Sequence, residues 1–153
     1  MIKIKRINYV KNLWFYNEII SVVAITWFLA QLIKFAILLV KNRKIKLSEF
    51  KVFISTGGMP SAHTVLVVST ATAIYLERNL TIYFVISIVL ALIVMNDAMK
   101  VRWVTQEQSK VINKLTKGKK GFPVLDEHVG HTPMEVLVGA VFGIITPIIV
   151  YSL

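Results

Sequence analysis

Apolar residues fill four long runs of this chain, and blocks of charge separate them. The first, 19–40, is apolar apart from Ser21, Thr26, Gln31 and Lys34, and its length suits one crossing of a bilayer. Runs at 60–76, 80–97 and 133–151 predict three more spans, the second and third joined by the tight turn Glu77-Arg78-Asn79. Between 103 and 115 the pattern changes. There Trp103, Val104, Val111, Ile112 and Leu115 alternate with Gln106, Glu107, Gln108, Lys110 and Asn113, which predicts an amphipathic helix on the surface. The last run opens on Thr132-Pro133-Met134-Glu135, with Thr at N-cap, Pro at N1 and Glu at N3, the pattern of a capping box. Gly139 and Gly143 then recur at the spacing that lets membrane helices approach closely, and Pro147 is tolerated in such a helix. The expectation is one all-α, membrane-embedded domain over 1–153, a bundle of about four transmembrane helices plus a surface helix. Residues 1–18 form an interfacial lead-in, since the apolar run that follows is too long for a signal peptide.

Composition agrees with a membrane class. The 153 residues are 56% hydrophobic, with a mean hydropathy of +0.67, well above a soluble domain. Net charge is +10, and in so apolar a chain the bilayer and anionic lipids explain it better than nucleic acid does. The absence of cysteine removes disulfides, thiolate catalysis and cysteine metal sites. Lysine and arginine number five between the first two runs and seven from Lys100 to Lys120, against four at the N-terminus and one at Arg78. By the positive-inside rule both long basic loops face the cytoplasm. The chain is therefore expected in the cell membrane, multi-pass, with a homo-oligomer left open.

Candidate chemistry gathers at the ends of the runs. Thr56-Gly57-Gly58-Met59-Pro60-Ser61-Ala62-His63-Thr64 combines glycines, a proline, a hydroxyl and an imidazole. Glycine lets backbone approach a ligand, Pro60 suits the first helical position, and a helix N-terminus favours an anion. His63 is then one turn inside the helix. With four crossings, this stretch, the cluster Asp97 to Arg102 and the turn at His131 fall on one side of the membrane. Lys34 ends the first run on that side, either snorkelling or facing a polar interior. Cations, amides and two imidazoles together suit a phosphate. The expected binding groups are Lys34, Gly58, Ser61, Asp97, Lys100 and Arg102, with Arg43 a further cation. Glu135 either closes its helix start or fixes the tautomer of His131, and the two roles are compatible. A metal site from Asp126, Glu127, His128, His131 and Glu135 is disfavoured, because proline and glycine around His131 interrupt a ligand helix. No metal or cofactor is called for.

Gly57-Gly58-Met59-Pro60-Ser61-Ala62-His63, then Asp97-Ala98 with Val101-Arg102, then Gly130-His131-Thr132-Pro133 with Glu135-Val136 and Gly139 resemble the divergent PAP2 family. That family is related to type 2 phosphatidic acid phosphatases and vanadium-dependent haloperoxidases. In the superfamily, a Pro-Ser-Gly-His motif supplies a histidine acid, and a later His-x-x-x-Asp supplies the nucleophile with its orienting carboxylate. The resemblance implies that His63 protonates the leaving oxygen, His131 attacks phosphorus, and Glu135 replaces the aspartate. It implies a metal-independent membrane phosphohydrolase for a lipid or isoprenoid phosphate or pyrophosphate. The other class is a noncatalytic protein that binds or moves a phosphorylated lipid. The chain departs from the pattern in Ala62 for glycine and in Leu125 and Asp126 near the superfamily's Ser-Arg, for which Arg102 is the substitute. The first motif is matched by Lys34 and Lys41 alone, without its proline.

Overall fold

The computed structural model describes residues 4–41 and 58–153, with the side chains of α1 described for 18–40. Five helices follow in order: α1 Ile4–Lys41, α2 Ala62–Arg78, α3 Ile82–Met99, α4 Val101–Thr116 and α5 Pro133–Tyr151. The fold is all-helical among the described residues. Among the described residues, three segments are long and apolar enough to cross a membrane: Glu18–Val40 in α1, Ile82–Thr116 over α3 and α4, and Pro133–Tyr151 in α5. At 17 residues, α2 is about 25 Å long, a little short of a full bilayer core. It packs against α1, α3 and α5 and so forms the centre of the bundle.

Small residues face inward and large apolar ones outward, because lipid solvates the outside. On α3 the buried residues are Ser87, Ala91 and Ala98, while Ile86, Val89, Leu92 and Ile93 are exposed. On α5 the buried stripe is Val136, Gly139, Gly143, Thr146 and Pro147, spaced three and four apart as one helix face requires. A Cβ at Gly139 would lie 2.9 Å from the Ser61 carbonyl oxygen, and one at Gly143 would lie 3.0 Å from Val68 Cβ. The two glycines thus set how closely α5 approaches α2. Hydroxyls inside α2 are satisfied locally: Ser69 and Thr70 donate to the Leu66 carbonyl and Thr72 to that of Val68.

Helix ends follow side-chain caps. Thr132 caps α5 in a full capping box with Glu135, as the sequence pattern predicts. The start of α2 is a correction: the helix begins at Ala62 with Ser61 as N-cap, two residues after the expected start at Pro60. Ser61 wins because its Oγ accepts from the Thr64 amide, which a proline at N1 cannot do for itself. Asn79, at φ 58°, ends α2, and its backbone amide donates to the Tyr75 carbonyl.

Candidate active site

The buried face of α1 runs Ile19, Val22, Thr26, Ala30, Gln31, Lys34, and this spacing of three and four carries Lys34 into the bundle. Lys34 is only 5% exposed, so it faces the interior and does not snorkel. Its Cε lies 3.9 Å from where a Cβ would sit on Gly58, whose φ of +90° favours glycine. The Glu135 carboxylate is within electrostatic range of Lys34. A buried ammonium needs such a counter-ion.

His63 lies half-buried on the first turn of α2. His131 is fully buried, and the two ring centroids stand 6.0 Å apart, edge to face. The buried Nδ1 of His63 has no hydrogen-bond partner among the described residues. The charges acting on His63 are Arg102, Lys34 and Asp97. The Arg102 Nε donates to Asp97 Oδ2 at 2.7 Å, and among the described residues its terminal nitrogens donate no hydrogen bond. Asp97 therefore orients the guanidinium, a role that fits an anion better than contact with phosphate. Each cation of the cluster has a carboxylate beside it, Glu135 for Lys34 and Asp97 for Arg102.

Backbone bonds hold the segments in register. The α3 and α4 helices meet in an elbow at Lys100. There the His131 amide donates to the Ala98 carbonyl at 3.1 Å, and the Ser61 amide donates to the Glu135 carbonyl at 3.1 Å. Gly130 donates its amide to Gln106 Oε1 at 3.2 Å. A Cβ on Gly130 would lie 2.7 Å from Trp103 Cα, so only glycine lets the loop rest on the α4 backbone. Three chain segments distant in sequence are thereby pinned around the two imidazoles.

Several expected binding groups take other places. Ser61 is fully buried, its amide is committed to Glu135 and its Oγ to Thr64. It serves the scaffold, and the amide cradle is correspondingly reduced to the backbone beside Gly58. Lys100 is exposed at the elbow. His128 has its side chain 85% exposed beside Asp126, whereas His131 is fully buried, so the two do not share a metal site. Leu125, at the place of the superfamily's Ser-Arg, is tied by its backbone to the Asn113 side chain. Lys41 ends α1, and Arg43, Thr56 and Gly57 lie outside the described residues. Sequence reasoning missed Gln106, which it placed among the polar positions of a surface helix. The signal was the spacing Arg102, Gln106, Ser109, Asn113, a polar stripe that turns inward. It also passed over Gln31, buried one turn before Lys34.

Below the cluster, α2, α3 and α5 enclose an apolar groove of about 400 Å³, lined by residues including Val68, Ala71, Phe84, Ala91, Met95 and Ile144.

The sequence pattern of the Divergent PAP2 family matches residues 15–146. The chain is also similar to "Uncharacterized membrane protein YuiD" of Bacillus subtilis (strain 168), 36% identical over 137 residues, covering 78% of this chain and 85% of that protein. No solved structure matches.

Proposed function

We propose, from the premise that this chain belongs to the Divergent PAP2 family, that it is a multi-pass membrane phosphohydrolase. Its substrate is a lipid or isoprenoid phosphate or pyrophosphate, and the reaction runs through a phosphohistidine. The observation that carries the reading is the pair of imidazoles 6.0 Å apart between a lysine and an arginine. Binding a phosphate needs the cations; it does not need two facing histidines.

In this mechanism the phosphoryl group binds Lys34 and the terminal nitrogens of Arg102, while Asp97 keeps the guanidinium's Nε. A nitrogen of His131 attacks phosphorus, the bond to the leaving oxygen breaks, and that oxygen takes the bond's electron pair and a proton from His63. Water then attacks the phosphohistidine while neutral His63 takes its proton, and inorganic phosphate leaves with His131 restored. Attack and protonation in line span roughly 7–8 Å from nitrogen to nitrogen. The half-buried His63 ring is the one with room to turn and open that distance, while His131 is held by its backbone. Glu135 orients His131 while its Oε2 accepts from the Thr132 amide. The apolar groove takes the acyl or isoprenoid chain. With α2 as the fourth crossing, the site faces the cytoplasm, as the charge asymmetry of the loops indicates.

The complete burial of His131 favours one second reading, a protein that binds a phosphorylated lipid without turning it over. One assay separates the two. Purified protein in detergent, incubated with lipid monophosphates and pyrophosphates, releases inorganic phosphate with turnover above one if the chain is an enzyme. Saturable binding of the same lipids or of vanadate, with no release, makes it a binder.

A further inference from the structure

Helix α4 is inside out by the standard of a soluble protein. Its inward stripe is polar, with Arg102 held by Asp97, Gln106 by Gly130, and Asn113 by Leu125 and Glu127, while Ser109 is buried. Its exposed side mixes Val101, Val104, Val111, Ile112 and Leu115, 43–66% exposed, with Glu107, Gln108, Lys110 and Lys114. At the C-terminal end of this helix, α4 and the following loop shape a cavity of about 510 Å³. Lys110, Lys114, Lys117 and Lys119 stand around it, and Phe122 and Val124 form its apolar part. Phe122 is 59% exposed and Val124 90%.

We propose that this cavity seats the headgroup of an anionic phospholipid, with the upper acyl chain against Phe122, Val124 and the apolar side of α4. The inference is independent of the phosphohydrolase reading and concerns a different surface. Charge supports it. Lys114, Lys117 and Lys119 have no ion pair among the described residues. The carboxylates nearby are engaged, Glu127 with Asn113, Glu107 with Lys110 and Asp126 beside His128. Glu127 also lines the cavity and keeps its charge, but Lys114, Lys117 and Lys119 outnumber it and leave the cavity net positive, directly beside apolar side chains that water solvates poorly. An amphiphile with an anionic head and an apolar tail satisfies both at once. Position supports it too. Only Lys100 separates α4 from α3, so the cavity at the end of α4 closes a continuous segment of membrane-crossing length and apolarity.

The test uses the full chain in nanodiscs of phosphatidylcholine with a brominated lipid as quencher. Trp14, Trp27 and Trp103 are replaced by Phe, and Phe122→Trp places the reporter in the cavity. Brominated phosphatidylglycerol should quench it well beyond an equal fraction of brominated phosphatidylcholine, with an enrichment of about fivefold for each lysine engaged. Lys114→Gln/Lys117→Gln/Lys119→Gln should bring the two lipids level, and Arg78→Gln, at the end of α2, should leave the difference intact. Equal quenching by both lipids in the reporter protein, or an unchanged difference in the triple variant, overturns the proposal. Native mass spectrometry of the wild type from mixed nanodiscs covers a reporter that fails to fold: retention of phosphatidylglycerol over phosphatidylcholine supports the site, and equal retention refutes it. Binding of a soluble poly-glutamate peptide in preference to the anionic lipid also refutes it, since that assigns the surface to an acidic protein partner.

Discussion

Arg102 spends its Nε on Asp97, an arrangement that aims the rest of the fork. A lysine at this place keeps the charge and loses the fork. Arg102→Lys is expected to lower kcat/KM and weaken vanadate binding roughly 10- to 100-fold, the value of a charged hydrogen bond or two. Vanadate titration checks it, and unchanged affinity removes Arg102 from the site. His63 has a subtler signature. As leaving-group acid its loss should cost about 100- to 10,000-fold with an alkyl phosphate. With an activated aryl phosphate, whose departure needs little protonation, the loss should be small. Parallel kinetics on the two substrates decide it, and equal defects exclude the acid role. Both histidines, Lys34 and Arg102 were named as candidates from the sequence because polar groups stand out between apolar runs, and the fold brings these four to one end of the bundle. The start of α2 was placed two residues early because two N-terminal signals sit side by side, a proline for N1 and a serine for N-cap, and local pattern does not rank them. Gln106 was missed for a nonlocal reason: its burial depends on the loop that Gly130 lays across it.

Among the elements, the contact between α2 and α5 positions the chemistry, since Ser61 and Glu135 join the starts of these helices. A methyl group at Gly139 meets the Ser61 carbonyl at 2.9 Å, a backbone atom that gives way only if α2 moves. Gly139→Ala should therefore destabilise the bundle by roughly 1–3 kcal/mol, as overpacking does. It should also lower activity beyond the loss of folded protein, because His63 shifts from His131. Thermal unfolding in detergent and specific activity per folded molecule check this, and a variant of wild-type stability and activity contradicts the packing account. Hydropathy made α1, α3 and α5 plain and the glycine spacing marked the α5 face. The exit from α3 was harder to place, since the helical pattern continues across Lys100 into α4 and only the elbow separates them.

At the scale of the whole molecule, the bundle sets an apolar groove beneath a polar cluster, which is the division an amphiphilic substrate calls for. Filling the groove with Ala91→Phe should raise KM for long-chain lipid phosphates about tenfold, the worth of one or two buried methylenes. A short-chain analogue should be unaffected, and equal effects on both would place the tail elsewhere. Composition pointed to the membrane class, because the chain is clearly more apolar than a typical soluble domain. The number of crossings was less legible, since the 17 residues of α2 are rich in serine and threonine and their length is borderline. Everything finer turns on whether His131 carries the phosphoryl group. Protein given radiolabelled lipid phosphate, or labelled pyrophosphate substrate, and quenched in alkali should retain a base-stable, acid-labile label. The label should vanish in His131→Ala and persist in His63→Ala with a good leaving group. Label of the same kind in His131→Ala, or multiple turnovers of the wild type with no trapped label at any time, would contradict the account.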